Sequence, residues 1–161
     1  MDFIQQLQLW EKGETQQGQI MIAVGVLFLI AFIFILKSEN NLLRGTLIPL
    51  GLILLVLIGY GGFILVNRPA HVKESITLYQ DSPDKAITDE IEKHTNDNKA
   101  GNTLTKIYPI LMLVSVLMLI FIPSTYYKGM ALGFTLLFIS IYLIDSGFIS
   151  RSEAVLEFLK S

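Results

Sequence analysis

Two pairs of side chains in the middle of the chain have types and spacings suited to chemistry: His71-x-x-Glu74 and Glu90-x-x-x-His94. A separation of three or four residues places an imidazole and a carboxylate on one helix face, and two such pairs can supply four zinc ligands. The signal is weak, because such pairs arise easily in a charged loop and neither belongs to a motif such as H-E-x-x-H. Solvated side chains are the expected state. His71, Glu74, Glu90 and His94 therefore stand only as weak metal candidates, and no metal is assigned.

Asp145 is the other chemical candidate, the one carboxylate within an apolar run. Carboxylates inside a membrane are costly and often mark ion or proton paths. Asp145 lies four residues before Ile149, near the end of its run. An interfacial ion pair with Arg68 or Arg151, or with Lys106, is thus expected ahead of a mid-membrane ion or proton site. No nucleophile–base pair, phosphate-cradling loop or paired carboxylate is visible, so no catalytic or cofactor-binding residue is assigned and no cofactor is expected. Gly59-x-Gly61-Gly62 follows a hydrophobic span rather than a strand and has no nucleotide meaning.

The elements that must position these residues are set by composition. The chain has 161 residues, 52% hydrophobic and 16% charged, with no cysteine; a soluble domain carries about 25% charged residues. A soluble enzyme is excluded by this pattern. A nucleic-acid binder is excluded too, since the net charge is −2 and no basic face exists. Disulfides and thiolate metal sites are excluded with the cysteines.

Four apolar runs, Ile20–Leu36, Thr46–Val66, Ile107–Ile122 and about 127–149, reach or approach the roughly 17–20 residues that span a bilayer. None alternates like a barrel strand, so each is read as a helix. The first run is no signal peptide: Asp2, Glu11 and Glu14 outweigh Lys12 ahead of it, and no small-residue cleavage site follows. The expected fold is an all-α membrane protein, a four-transmembrane-helix bundle. Its expected organisation is an amphipathic interfacial helix at 1–17, a first hairpin at 18–66 (spans about 19–36 and 46–66), a loop at 67–105 with two short helices, a second hairpin at 106–149 (spans about 106–123 and 127–149), and a tail at 150–161.

An internal repeat supports that division. Val24–Ile30 matches Val114–Ile120, Arg44-Gly45 matches Lys128-Gly129, and Gly62-Phe63-Ile64 matches Gly147-Phe148-Ile149. Beyond them Arg68-x-x-x-Val72-x-Glu74 repeats as Arg151-x-x-x-Val155-x-Glu157. The order of the blocks is kept, which reads as two tandem hairpins in parallel orientation about an axis along the membrane normal. Gly51, Gly59, Gly62, Gly129 and Gly133 are the expected helix-packing positions, serving contacts within the bundle ahead of contact with a second copy.

Outside the spans, Phe3, Ile4, Leu7 and Trp10 form one face that ends near Gly13, as in a helix lying in the membrane interface. Residues 67–105 are too few to fold alone. Val72, Ile76 and Tyr79 mark one short helix there. Ser82 as N-cap before Pro83 opens a second, with Ile87, Ile91 and His94 on a face, and Gly101-Asn102 loosens the chain before the third span. Lys and Arg are unevenly placed: nine (Lys12, Arg68, Lys73, Lys85, Lys93, Lys99, Lys106, Arg151, Lys160) lie on the side of the termini and central loop, and three (Lys37, Arg44, Lys128) on the other. The positive-inside rule then makes both termini and the 67–105 loop cytoplasmic, in a plasma or bacterial inner membrane.

The expected role is a small, non-catalytic structural or regulatory accessory subunit acting through that loop. Its partners would be the lipid bilayer and another membrane protein or a second copy, with no nucleic acid. A protomer of an oligomeric channel or transporter using Asp145 is the alternative. An immunity-type protector and a membrane-embedded lipid-modifying enzyme follow.

Overall fold

The computed structural model describes residues 2–161, and every element in it is helical. Helix α1 runs Phe3–Leu36. A short turn leads to α2 (Asn41–Gly45) and α3 (Leu47–Leu54), then a π-helical stretch Leu55–Tyr60 passes into α4 (Gly61–Asp81). Helices α5 (Pro83–Phe121) and α6 (Thr125–Lys160) complete the chain. Four helical rods, namely α1, the run from α3 through α4, α5 and α6, are long and apolar enough to cross a membrane.

Those rods are longer than a membrane is thick. At about 1.5 Å per residue, helices of 34 to 39 residues span about 50–58 Å, against about 30 Å of hydrocarbon. Residues 3–17, 67–81, 83–105 and 150–160 therefore continue the helical bundle past the apolar segments on one side. The expected separate helices are absent as such: residues 3–17 belong to α1, and 83–105 run without a break into the third span.

Local chemistry explains both continuities. Asp2 caps α1 by accepting from the Gln5 amide at 2.7 Å, while the Gln5 side chain accepts from the Asp2 amide. A mid-helix glycine costs only about 1 kcal/mol relative to alanine. At Gly13 the space of a side chain is taken by Arg151, since a methyl there would lie 2.6 Å from Arg151 Cδ. At Gly101 it is taken by Ile149. Both glycines are contact points, not breaks. Ser82 does stand at the N-cap of α5, with Pro83 in the first turn, but its hydroxyl makes no capping bond.

Helix α1 packs on α3, the π-helical stretch and α4, while α5 packs on α6 along its length. The two pairs meet where α4 meets α5 and α1 meets α6, and again where α2 and α3 cross α6. There Gly45 faces the backbone of Tyr126 and Met130, and Gly129 faces the backbone of Leu42. Gly133 sits under the Pro49 ring. Nearer the polar end, a methyl on Gly18 would meet the Gly61 carbonyl oxygen at 3.1 Å, and one on Gly61 the Gly18 carbonyl at 3.2 Å. The glycine expectations need correction accordingly. Gly59 and Gly62 face open space, Gly51 only approaches Phe32 at 3.9 Å, and the close crossing falls instead at Gly18–Gly61.

Two apolar clusters hold the bundle. One, at the polar end, joins Phe3, Leu7 and Trp10 of α1 to Val72, Ala86 and Val155. The other, between the spans, joins Met21, Ile53, Leu57, Ile64 and Leu137. The layer between them is polar, and it contains nearly every group capable of chemistry.

Candidate functional site: a buried polar layer and its cavity

Each rod contributes to this layer at the register between its two apolar clusters. On α1 the buried positions are Phe3, Leu7, Trp10, Glu14, Gly18, Met21 and Gly25, one unbroken seam at helical spacing. Glu14 thus faces the bundle interior because its seam does, and only 1% of it is exposed. Arg68 of α4 and Arg151 of α6 reach it from opposite sides, with Arg68 Nε 3.2 Å from Oε2 and Arg151 Nε donating to Oε1 at 2.9 Å. Arg151 also donates to the Gln17 side-chain oxygen, and Gln17 Nε2 donates to the Ile144 carbonyl at 2.9 Å. This network ties α1 to both α4 and α6. Burial pushes the Glu14 carboxyl up, against the pull of the two arginines.

The second group is built on α4 and α5. Glu90 Oε1 accepts from Ser75 Oγ at 2.5 Å and lies 2.7 Å from His71 Nε2. Its other oxygen lies 3.4 Å from His94 Nε2. His94 is fully buried, and its Nδ1 is 2.7 Å from Ser152 Oγ on α6. Because Nε2 faces an acceptor-only carboxylate, the tautomer assigned to His94 carries its proton there, and the Ser152 hydroxyl donates to Nδ1. Burial alone would raise the Glu90 carboxyl, but the contacts from His71 and Ser75, with the His94 ring 3.4 Å from the other oxygen, outweigh it and hold the group below the usual range. Burial pushes the His94 imidazole down, with Glu90 opposing.

Trp10 lies between these groups. The Arg68 guanidinium stands 5.0 Å and the Lys93 ammonium 4.4 Å from its ring, within cation–π range, and the His94 ring meets it edge-on at 5.0 Å. Among the described residues Lys93 has only Asp97 as an ion-pair partner, at 3.9 Å, and burial lowers the pKa of its ammonium.

Beside the layer is a cavity of about 320 Å³. Trp10, Glu14, Arg68, Lys93, Asn98 and Ser152 contribute its polar wall, and Tyr60, Leu104, Asp145 and Phe148 the wall nearer the spans. On its lining Arg68 Nε, Lys93 Nζ and Asn98 Oδ1 are buried with no hydrogen-bond partner among the described residues. In the adjoining group the 3.4 Å approach of Glu90 Oε2 and His94 Nε2 does not meet hydrogen-bond geometry either.

The structure rearranges the residues singled out in the sequence. His71, Glu90 and His94 come together around one carboxylate, while Glu74 is exposed on the outer face of α4. Among the described residues no three such groups are placed to hold a metal ion. Asp145 does not pair with Arg68 or Arg151; it accepts from the Tyr108 hydroxyl at 2.8 Å, and both arginines go to Glu14. The sequence reading passed over Glu14, Trp10, Lys93, Ser75, Asn98 and Ser152 as site residues. Extending the Phe3–Leu7–Trp10 stripe past Gly13 would have found Glu14, since the next seam position falls there.

No protein-family model matches this chain, and neither curated proteins nor solved structures give a significant match to it. Its chemistry has to be read from its own geometry.

Proposed function

We propose that this chain is a non-catalytic, multi-pass accessory subunit of a plasma or bacterial inner membrane, structural or regulatory in role. It engages another membrane protein, or a second copy, through the polar end of the bundle around residues 67–105. One observation carries the reading: the polar groups of the layer are buried inside the bundle, Glu14 and Glu90 each holding several of them, while the same segments present charges outward. Lys73, Glu74, Asp84, Lys85, Asp89 and Glu92 are all exposed on α4 and α5. A rigid, charged platform of this kind suits recognition by a partner, where complementary charge sets specificity.

The reading includes the finer architecture. Two tandem hairpins related by an axis along the membrane normal are supported by a reciprocity at the α2–α6 crossing. Gly45 faces the carbonyl three residues before Gly129, and Gly129 faces the carbonyl three residues before Gly45. These glycines are the matched positions of the repeat. The excess of Lys and Arg at the polar end supports a cytoplasmic placement of that end and of both termini.

The test is charge reversal at Asp84, Lys85 and Asp89 in the full chain, followed by crosslinking in native membranes and mild-detergent purification. Loss of a stoichiometric protein partner, with membrane insertion intact, is the expected result. Unchanged association after reversal would sink the proposal.

A further inference from the structure

The cavity of about 320 Å³ is within the size range of small-molecule sites, about 300–1,000 Å³. Its lining has a definite order. Among the described residues Lys93 Nζ is buried without a hydrogen-bond partner, its neighbour Asp97 standing 3.9 Å away. Arg68 Nε shares charge with Glu14 at 3.2 Å but not in hydrogen-bond geometry, and Asn98, only 7% exposed, presents an unpartnered carbonyl oxygen. Leaving such groups without a partner is costly, by roughly 1–3 kcal/mol each, so a ligand that satisfies them is favoured. Two carboxylates, Asp97 and Asp145, stand on the same lining. Arg68 is already matched by Glu14, which leaves one ammonium against two carboxylates. A simple anion would meet repulsion as well as attraction. A ligand bearing both a phosphate and an ammonium meets complementary groups on both sides.

The position of the exposed lining narrows the source. Tyr60 and Leu104 line the cavity yet are 37% and 43% exposed. Tyr60 lies within the second apolar run and Leu104 next to the third. These exposed lining residues stand at the boundary between apolar span and polar bundle, the level expected for lipid headgroups. Phe148 and Tyr60 meet edge-on at 5.8 Å and form an aromatic wall there, as interfacial aromatics do.

We propose that this cavity binds an aminophosphate headgroup, its phosphate accepting from Lys93 and Arg68 and its primary ammonium donating to Asp145, Asp97 and the Asn98 carbonyl. The proposal does not depend on the partner-docking reading. A quaternary ammonium has no N–H to donate, so phosphatidylcholine should bind poorly. Phosphatidylglycerol lacks the cation and should bind poorly as well.

The test uses the delipidated full-length chain in mild detergent, read by native mass spectrometry and by thermal shift. Phosphatidylethanolamine, phosphatidylglycerol, phosphatidylcholine and water-soluble glycerophosphoethanolamine are added separately. Phosphatidylethanolamine is expected to bind at least ten-fold more tightly than the other two lipids. The Lys93→Met variant should lose at least ten-fold of that affinity, and Asp145→Asn should shift preference toward phosphatidylglycerol. Lys99→Met, an exposed change on the same helix, should do neither. Equal binding of glycerophosphoethanolamine and the lipid would identify a soluble aminophosphate as the source; tight binding of the lipid alone would identify the membrane. Because replacing a buried lysine can unfold the polar end, the wild-type lipid ratio is decisive by itself. Indistinguishable binding of the three lipids to the wild-type chain overturns the proposal, as does a folded Lys93→Met variant that binds like wild type.

Discussion

At the residue scale the polar layer is a set of groups whose charge states depend on being folded. Glu90 is held below the carboxylate range of about 4.5 because His71, Ser75 and the nearby His94 ring favour its ionised form more strongly than burial opposes it. His94 is held below its ordinary 6.5 by burial. In both cases the unfolded chain binds protons more readily than the folded one, so stability falls as pH falls. The stability from neutral His94 is present above pH 6.5 and fades below it; that from Glu90 is present above pH 4.5 and fades as pH drops through its lowered folded value. Unfolding in SDS-containing mixed micelles should therefore become easier in two steps on acidification from pH 7.5 to 2, the second beginning only below about pH 4.5. Trp10 is the one tryptophan in the chain and stands 5.0 Å from His94, so its fluorescence reports the layer directly. A His94→Gln variant should lose the upper step. Stability that stays flat between pH 7 and 5 in the wild type would contradict this account.

The glycine crossings decide how the helices approach one another. A methyl at Gly45 or Gly129 would run into neighbouring backbone, which cannot rotate away as a side chain can. Gly45→Ala and Gly129→Ala should each destabilise by about 1–3 kcal/mol, as overpacking does. Gly62 faces open space within α4, so Gly62→Ala should be neutral or stabilise by up to about 1 kcal/mol through helix propensity. Denaturation of all three in mixed micelles checks the contrast, and equal losses would refute it. The four spans were legible in the sequence because an apolar run of sufficient length has few alternatives in lipid. The crossing glycines were less so, because the sequence names small residues without telling which face they occupy. Gly59 and Gly62 look as suitable as Gly18 and Gly61 until the seam of α1 is followed through its polar segment. The polar site was the least legible. Glu14, Arg68 and Arg151 are 54 and 83 residues apart along the chain, and only the packing of α1, α4 and α6 brings them together.

For the molecule as a whole, Glu14 is the point at which the rods are joined. It is nearly fully buried, whereas the side chains of Arg68 and Arg151 are 19% and 28% exposed. Glu14→Gln would leave two guanidiniums without the carboxylate they share. Removing one partner of a fully buried pair costs about 3–5 kcal/mol; partial exposure of the arginines reduces the expected loss to about 2–4 kcal/mol. The damage should be local to one end. Hydrogen exchange is expected to rise in residues 3–17, 67–105 and 150–160, while the helices between Met21 and Leu36 and between Leu47 and Ile64 keep their protection. Uniform loss of protection along the chain would show that the polar layer and the spans unfold as one unit.

The glycine crossing near the start of α6 has a mechanical consequence. It lies at one end of rods about 50 Å long, and it is where the two helix pairs come closest through backbone. A pivot at that end turns each rod into a lever. A change of only about 5° in crossing angle displaces the far end by on the order of 4 Å, given about 1.5 Å of rise per residue. The ion pairs of Glu14 sit on the long arm, where a restraint has the greatest leverage. Together with the apolar cluster at that end, a few hydrogen bonds there restrain an angle that the pivot alone would leave free.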